Sequence, residues 1–80
     1  MNTITPGMQF TNNGMTVEVL RYHENEKHNV ALLLCYDDGL FITVKDLTPE
    51  KELRCHWTWG HYILNKTEAL NDYISRKKDL

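Results

Sequence analysis

Residues 54 to 64 read R-C-H-W-T-W-G-H-Y-I-L, and they hold both tryptophans, one of the two cysteines and two of the four histidines of the chain. Apolar and polar side chains alternate here, which is typical of a strand with one buried face. The apolar set is Leu53, Cys55, Trp57 and Trp59. We therefore predict a strand over residues 53 to 59 that turns these side chains inward and stops at Gly60. If one indole is exposed, we expect it to be Trp59, beside the Gly60 bend.

The first hairpin signal lies near the start of the chain. Asn13-Gly14 separates a short candidate strand over residues 8 to 11 from a longer one over residues 15 to 22. An Asn-Gly pair accepts the positive φ angles of a tight turn. Apolar and polar residues alternate through most of the second segment. We expect these two strands to be antiparallel neighbours with one face in contact with solvent.

The second hairpin signal is Asp38-Gly39, between the apolar run 30 to 36 and a candidate strand over residues 40 to 45. The run reads V-A-L-L-L-C-Y and is apolar on both faces, which predicts a central strand that is covered on each side. Residues 23 to 29 read H-E-N-E-K-H-N and lack apolar spacing. They predict a solvated loop that leads into the central strand.

Residues 46 to 52 leave two structures open. Thr48 and Pro49 are suited to begin a short helix, so this segment forms either one helical turn before the tryptophan strand or a plain loop. Beyond Gly60, residues 61 to 64 can continue the strand.

The last third of the chain predicts one helix. Asn65 and Glu68 are three residues apart, as in a capping box, and residues 76 to 78 are basic, which suits the negative end of a helix dipole. One apolar stripe follows the helical period, and we expect it to be buried. Its members are Ala69, Leu70, Tyr73 and Ile74.

These elements predict one domain over residues 1 to 80, of the α+β class and mainly β. The architecture is an antiparallel meander of about five strands, with the C-terminal helix packed on the sheet. Spacing alone leaves open an SH3-like barrel or an open sheet, and we favour a strongly bent sheet.

Composition excludes several classes of protein. The net charge is -2, from nine Lys and Arg against eleven Asp and Glu, so the chain provides no overall field to attract nucleic acid. The first residues lack the basic and apolar regions of a signal peptide, and the longest apolar run is shorter than a membrane span. We expect a cytoplasmic protein without a membrane partner. Cys35 and Cys55 lie in apolar strands, so we expect reduced core thiols.

Metal binding and catalysis are not favoured by the motifs. The cysteines and histidines lack the spacing of a zinc site, and neighbouring Cys55 and His56 point to opposite faces of a strand. The same geometry opposes a Cys-His nucleophile pair. Asp37 and Asp38 are explained by turn chemistry. We predict a protein that is not an enzyme and that needs no cofactor.

The run W-T-W-G-H-Y-I-L-N-K-T-E-A-L-N-D-Y, residues 57 to 73, resembles the C-terminal pattern of small uncharacterised proteins of bacteria and their phages. In size and in its lack of catalytic motifs, the chain is also similar to phage-encoded inhibitors of host defence, including anti-CRISPR proteins. The resemblance suggests an origin in a phage or mobile element, and it assigns no activity to the chain and no role to any residue.

The hypothesis that follows is a small protein-binding module that inhibits or modulates a larger host protein. Aromatic and histidine side chains meet at the Gly60 bend, and the polar loop offers a second contact region. A homodimer through a sheet edge is compatible with this hypothesis, because a meander leaves two edges unpaired. The expected contact residues are Trp59, His61, Tyr62, His23, Glu24, Glu26, Lys27 and His28.

The alternative hypothesis is a small protein that binds single-stranded nucleic acid, which the negative net charge makes the weaker of the two. Aromatic rings stack on bases and nearby cations hold the phosphates. The residues expected to take part are Trp59, Tyr62, Tyr22, Arg21 and Arg54.

Overall fold

A computed structural model describes residues 4–80 of the chain. Five strands form one antiparallel sheet in chain order. They are β1 (Gln9–Asn12), β2 (Met15–Glu24), β3 (Asn29–Cys35), β4 (Phe41–Pro49) and β5 (Cys55–Ile63). A 3-10 turn (Lys51–Leu53) precedes β5, and the helix α1 (Lys66–Lys78) follows it. The prediction of an α+β, mainly β meander with one C-terminal helix is confirmed.

The sheet is curled into a half-barrel. Its two edge strands approach each other at one end, where Thr11 and Arg54 form an isolated bridge and the Asn12 side chain donates to the Cys55 carbonyl over 2.9 Å. Beyond this point β5 pairs only with β4 within the described chain. The predicted strong bend is therefore present, and the barrel is closed at one end only.

The central strand β3 separates two apolar clusters, as its two-sided apolar pattern predicted. Ala31, Leu33 and Cys35 lie in the larger cluster on the inner face of the half-barrel. Val30 and Leu32 point the other way and pack under α1 against Ala69 and Tyr73. The helix thus covers the part of the outer face formed by β3, β4 and β5.

The helix begins as its sequence predicted, because the Asn65 side chain accepts a hydrogen bond from the backbone N–H of Glu68 at 3.0 Å. Ala69 and Tyr73 are buried, and Leu70 packs at the rim of the smaller cluster. The expected burial of Ile74 is wrong, since 46% of this residue is exposed.

The strand predicted over residues 53 to 59 begins and ends later in the structure, at Cys55 and Ile63. Leu53 lies in the 3-10 turn and is 67% exposed, so it does not share the buried face of Cys55 and Trp57. Gly60 does not end the strand, which continues to Ile63. A helical turn beginning at Thr48 is also absent from the structure, because β4 extends through Pro49 and delays the turn.

The loop predicted over residues 23 to 29 is shorter in the structure. His23 and Glu24 end β2, and Asn29 begins β3, which leaves residues 25 to 28 as the connection. The Asn25 side chain accepts hydrogen bonds from the backbone N–H groups of Lys27 and His28, at 2.9 and 2.8 Å. The loop is therefore closed by its own side chain, in the manner of an Asx turn.

Candidate interaction site at the β5 bulge

Along β5, side chains point alternately to the inner and the outer face of the sheet, and this alternation is interrupted at Trp59. Lys45 of β4 lies opposite Thr58 and Thr43 opposite His61, so two β5 residues, Trp59 and Gly60, face the single β4 residue between these pairs. Trp59 has φ of 54°. In this type of bulge the first residue adopts a left-handed conformation and is usually glycine. The sequence places a tryptophan there instead.

The bulge separates the two indoles. Trp57 packs against the inner cluster, whereas Trp59 is 76% exposed. The expected inward position of Trp59 is wrong, because the extra residue turns its side chain out of the alternation, and the expectation that it is the more exposed indole is confirmed. A shallow groove of about 320 Å³ lies beside its ring, on the side of the sheet that carries α1. It is lined by Val30, Lys45, Trp59, His61, Arg76, Asp79 and Leu80.

A polar network under α1 fixes one wall of this groove. Nδ1 of His61 lies 2.9 Å from a carboxylate oxygen of Asp72, and the same oxygen accepts a hydrogen bond from the Thr43 hydroxyl. Arg76, one helical turn beyond Asp72, donates to the Thr43 carbonyl over 2.9 Å. The network joins β4, β5 and the helix, so hydrogen bonds hold His61 and Arg76 in place on one side of the groove.

The charges in this network favour an ionised Asp72. Burial by itself would raise the pKa of Asp72, but hydrogen bonds from Thr43 and His61, with the charges of His61 and Arg76, lower that pKa below its ordinary value. An ionised carboxylate can only accept a hydrogen bond, so Nδ1 of His61 carries the hydrogen that it donates to Asp72, and this selects the tautomer of the imidazole. Nε2 is then the ring nitrogen left for another partner, and no hydrogen bond to it occurs within residues 4–80.

The structure brings together some of the predicted contact residues. Trp59 and His61 line one groove, whereas Tyr62 lies opposite Ile42 on the inner face and is 57% exposed there. The loop of residues 25 to 28 contacts the groove through Asn25. The Asn25 side chain donates to the Leu80 carbonyl over 3.0 Å, and Leu80 is one of the groove residues.

The other loop residues have separate positions. His28 lies 3.0 Å from the carboxylate of Asp46, at the second irregularity of β4. Glu26 and Lys27 are exposed in the loop. His23 and Glu24 stand at the end of β2, outside the groove lining.

The residues proposed to stack and bind nucleic acid do not converge. Tyr22 packs against the inner cluster, and Tyr62 lies on that face as well. Trp59 lines the groove on the helix side, and Arg54 lines a separate polar cavity beside residues 12 to 14. Arg21 is exposed and lies near Tyr73 of α1. These side chains cannot form one continuous platform.

The sequence analysis did not assign Thr43, Lys45, Asp72 or Arg76 to the contact site, although Lys45 and Arg76 are among the basic residues that could form a stripe beside aromatic rings. Arg76 was explained by the helix dipole, and Thr43 and Lys45 alternate with the apolar residues of a strand. The i, i+4 spacing of Asp72 and Arg76 was the one local signal available. The meeting of β4, β5 and the helix at this point depends on tertiary packing.

The cysteines and histidines form no cluster suited to a metal ion within residues 4–80. Cys35 and Cys55 are free and buried, as expected. Burial and the negative charge of Glu50 raise the pKa of Cys55 to about 11, so its thiol is protonated at neutral pH. His56 lies 3.3 Å from Glu50. Neither cysteine is among the residues that line the groove.

Comparison of the chain with protein-family models, with curated proteins and with solved structures gave no match. Within residues 4–80 the single helix has 13 residues and is too short to cross a bilayer.

Proposed function

We propose that this protein is a non-enzymatic binding module whose contact surface is centred on Trp59 and the adjacent groove. One observation carries the proposal: a tryptophan that is 76% exposed stands on left-handed backbone at a bulge of an edge strand. Both the exposure and the backbone conformation cost free energy in the isolated protein. A partner that covers the indole would recover part of this cost.

The surroundings of Trp59 support this proposal. Tryptophan is enriched among the residues that contribute most to binding at protein interfaces. The ring stands beside an apolar floor formed by Val30 and Leu80 and beside the charged groups of Lys45 and Arg76. An apolar centre with a polar rim is the usual anatomy of an interface. The partner is a larger protein, and the resemblance to phage inhibitors makes a host protein of a bacterium the first choice.

The experiment compares capture of partners by matched variants. Tagged wild-type protein, Trp59→Ala and Leu64→Ala are incubated with a bacterial extract, and bound proteins are quantified by mass spectrometry. Leu64 is the control because it is also 76% exposed but lies outside the groove. We expect Trp59→Ala to weaken binding of the specific partner about 30-fold or more, as truncation of a central tryptophan does. Equal capture by the two variants would refute the proposal.

Binding of single-stranded nucleic acid is a second candidate, favoured by one observation. An exposed indole next to Lys45 and Arg76 is a combination that stacks on a base and holds a phosphate. Titration of a labelled oligothymidine at low and high salt tests it. Binding that weakens steeply with salt supports this candidate, and no binding at low salt excludes it.

A further inference from the structure

One edge of the sheet, that of β5, is unpaired over most of its length within residues 4–80. Thr11 and Arg54 form a parallel bridge, and β1 ends one residue later, at Asn12. β5 runs in the same direction and continues to Ile63, so it extends past the end of β1. Apart from the pairing with β4, residues 56 to 64 make no backbone hydrogen bond in the described chain. Their outward N–H and C=O groups are therefore free to pair with another strand.

The same edge lacks charged protection. Edge strands of monomeric proteins commonly carry charged side chains or proline, which oppose pairing with another chain. Residues 55 to 65 contain no Asp, Glu, Lys, Arg or Pro. Three of the six exposed large apolar residues found within residues 4–80 lie on β5 or directly after it, and they are Trp59, Tyr62 and Leu64. Only Trp59 belongs to the groove, so the exposure of the other two has no role in the proposed function.

The bulge at Trp59 limits where a second strand can pair. A bulge bends the strand and interrupts the ladder, so the segment suited to pairing begins at Gly60 and runs to Leu64. An acidic or basic strand of another protein would find no opposite charge on this segment. A copy of the segment, in contrast, places no like charges opposite each other. The edge therefore suits a second copy of this chain.

The faces of β5 determine the register of such a pair. Residues that face each other in an antiparallel pair point to the same side of the sheet. Tyr62 points inward, whereas His61 and Ile63 point to the side that carries α1. In a twofold pair the central residue faces its own copy, and a centre at Tyr62 uses the whole segment. His61 then faces Ile63 of the second copy, and Leu64 faces Gly60 of the second copy.

The inward contacts in this register are complementary. Tyr62 faces Tyr62 of the second copy, and aromatic pairs are among the favourable cross-strand pairs. The rings of Trp57 and Tyr62 lie within 3.4 Å of the point that a β-carbon of Gly60 would occupy. Leu64 of one copy, which is 76% exposed, packs against these rings of the other. The pairing thus covers Tyr62 and Leu64, the two apolar residues that the groove leaves unexplained.

We infer that two copies of this chain pair through β5, antiparallel about a twofold axis at Tyr62, and join their two five-stranded sheets into one. The remaining edges are the two β1 strands, which have four residues each and are bridged to Arg54, so the assembly closes at two copies. The inference goes beyond the proposed function, because it adds a second contact surface. Five residues from each copy form a small interface, and we expect a Kd of about 10 to 100 µM.

The first test is sedimentation equilibrium between about 5 and 500 µM protein. We expect wild type to dimerise and Tyr62→Lys to raise the Kd about tenfold or more, because two ammonium groups would face each other. Ile74→Lys is the matched control, since it also replaces an exposed apolar residue with lysine but lies on α1. It should change the Kd by less than about twofold. Circular dichroism establishes that both variants are folded.

The second test uses engineered thiols and needs no loss of stability. Facing Cα atoms in an antiparallel pair are about 4.5 to 5.5 Å apart, within the range of a disulfide. Tyr62→Cys should therefore form a disulfide-linked dimer in oxidised glutathione. Leu64→Cys places an exposed thiol two residues from the axis, about 14 Å from its copy, and should not. Cys35 and Cys55 are buried and do not compete.

Three outcomes would overturn the inference: a wild-type protein that is monomeric at about 500 µM, a dimer that Tyr62→Lys leaves unchanged, and equal disulfide formation by the two cysteine variants. A wild-type monomer whose partner capture is lost in Tyr62→Lys would assign the edge to a foreign strand instead. The proposed function is tested separately. Capture at about 0.1 µM protein uses the monomer, so Leu64→Ala stays a valid control there.

Discussion

Trp59 stands in a backbone conformation that favours glycine, with φ of 54°. A residue with a side chain is disfavoured there by about 1 kcal/mol. We therefore expect Trp59→Gly to be more stable than Trp59→Ala by about 0.5 to 1 kcal/mol, because both remove the exposed indole and only glycine relieves the backbone. Urea unfolding of the two variants measures the difference. The opposite order would mean that the bulge is not strained.

Gly60, the next residue, is required for a different reason. A β-carbon at this position would lie 2.9 Å from Nε1 of Trp57, which is shorter than the sum of the van der Waals radii of the two atoms. Trp57 packs against the inner cluster and cannot move freely, so we expect Gly60→Ala to lower the free energy of unfolding by about 1 to 2 kcal/mol.

The control for this prediction is the double variant Gly60→Ala, Trp57→Phe. Phenylalanine lacks the indole nitrogen, so Gly60→Ala should cost less when Trp57→Phe is already present. Equal losses in the two backgrounds, measured by urea unfolding, would show that the contact is not the cause.

At the scale of elements, the polar network that joins α1 to β4 and β5 makes stability depend on pH. The folded-state pKa of Asp72 is lowered, so its contribution is complete above the unfolded-state pKa and disappears as the pH falls through the folded-state pKa. We expect wild-type protein to lose stability from about pH 5 downward, and Asp72→Asn to lose less over the same range. Urea midpoints between pH 2 and pH 7 give this comparison.

The control for Asp72 is Asp79→Asn. Asp79 is an exposed carboxylate at the end of α1. Its replacement should leave the pH dependence parallel to that of wild type. A parallel curve for Asp72→Asn as well would show that the network does not hold the helix through this carboxylate.

At the scale of the whole molecule, the inner cluster contains both thiols. Cys35 is fully buried and Cys55 is 3% exposed. Because a thiol must be both accessible and ionised to react, we expect no labelling by a disulfide reagent at pH 8 in the folded protein and two labelled thiols in urea. The labelled fraction should follow the unfolding curve. Rapid labelling without urea would show that the half-barrel opens locally at its unpaired side.

Most of the fold could be predicted because its signals are local. Asn13-Gly14 and Asp38-Gly39 fix two hairpins, and the two-sided apolar pattern of β3 identifies the central strand. The capping signal at Asn65 identifies the start of α1. Each depends on a few neighbouring residues and on rules of backbone conformation. The function, the phage origin and the cytoplasmic location stay predictions.

The position of the tryptophan strand could not be predicted as well, because alternation of side chains assumes regular pairing. The bulge at Trp59 adds one residue to β5 and so changes which side chains point inward beyond it. At the other end, the 3-10 turn removes Leu53 from the strand, so the pattern that assigned Leu53 and Trp59 to the core was correct only between Cys55 and Trp57.

The sequence by itself determined the order and type of the elements and the presence of one amphipathic helix. Only the tertiary structure decided that Trp59 is exposed beside Lys45, His61 and Arg76, and that Tyr62 is on the other face. The physical reason is that a groove between a sheet and a helix is made by residues distant in the chain. Their meeting depends on strand register and on where α1 lies, and neither is encoded in the spacing of any one segment.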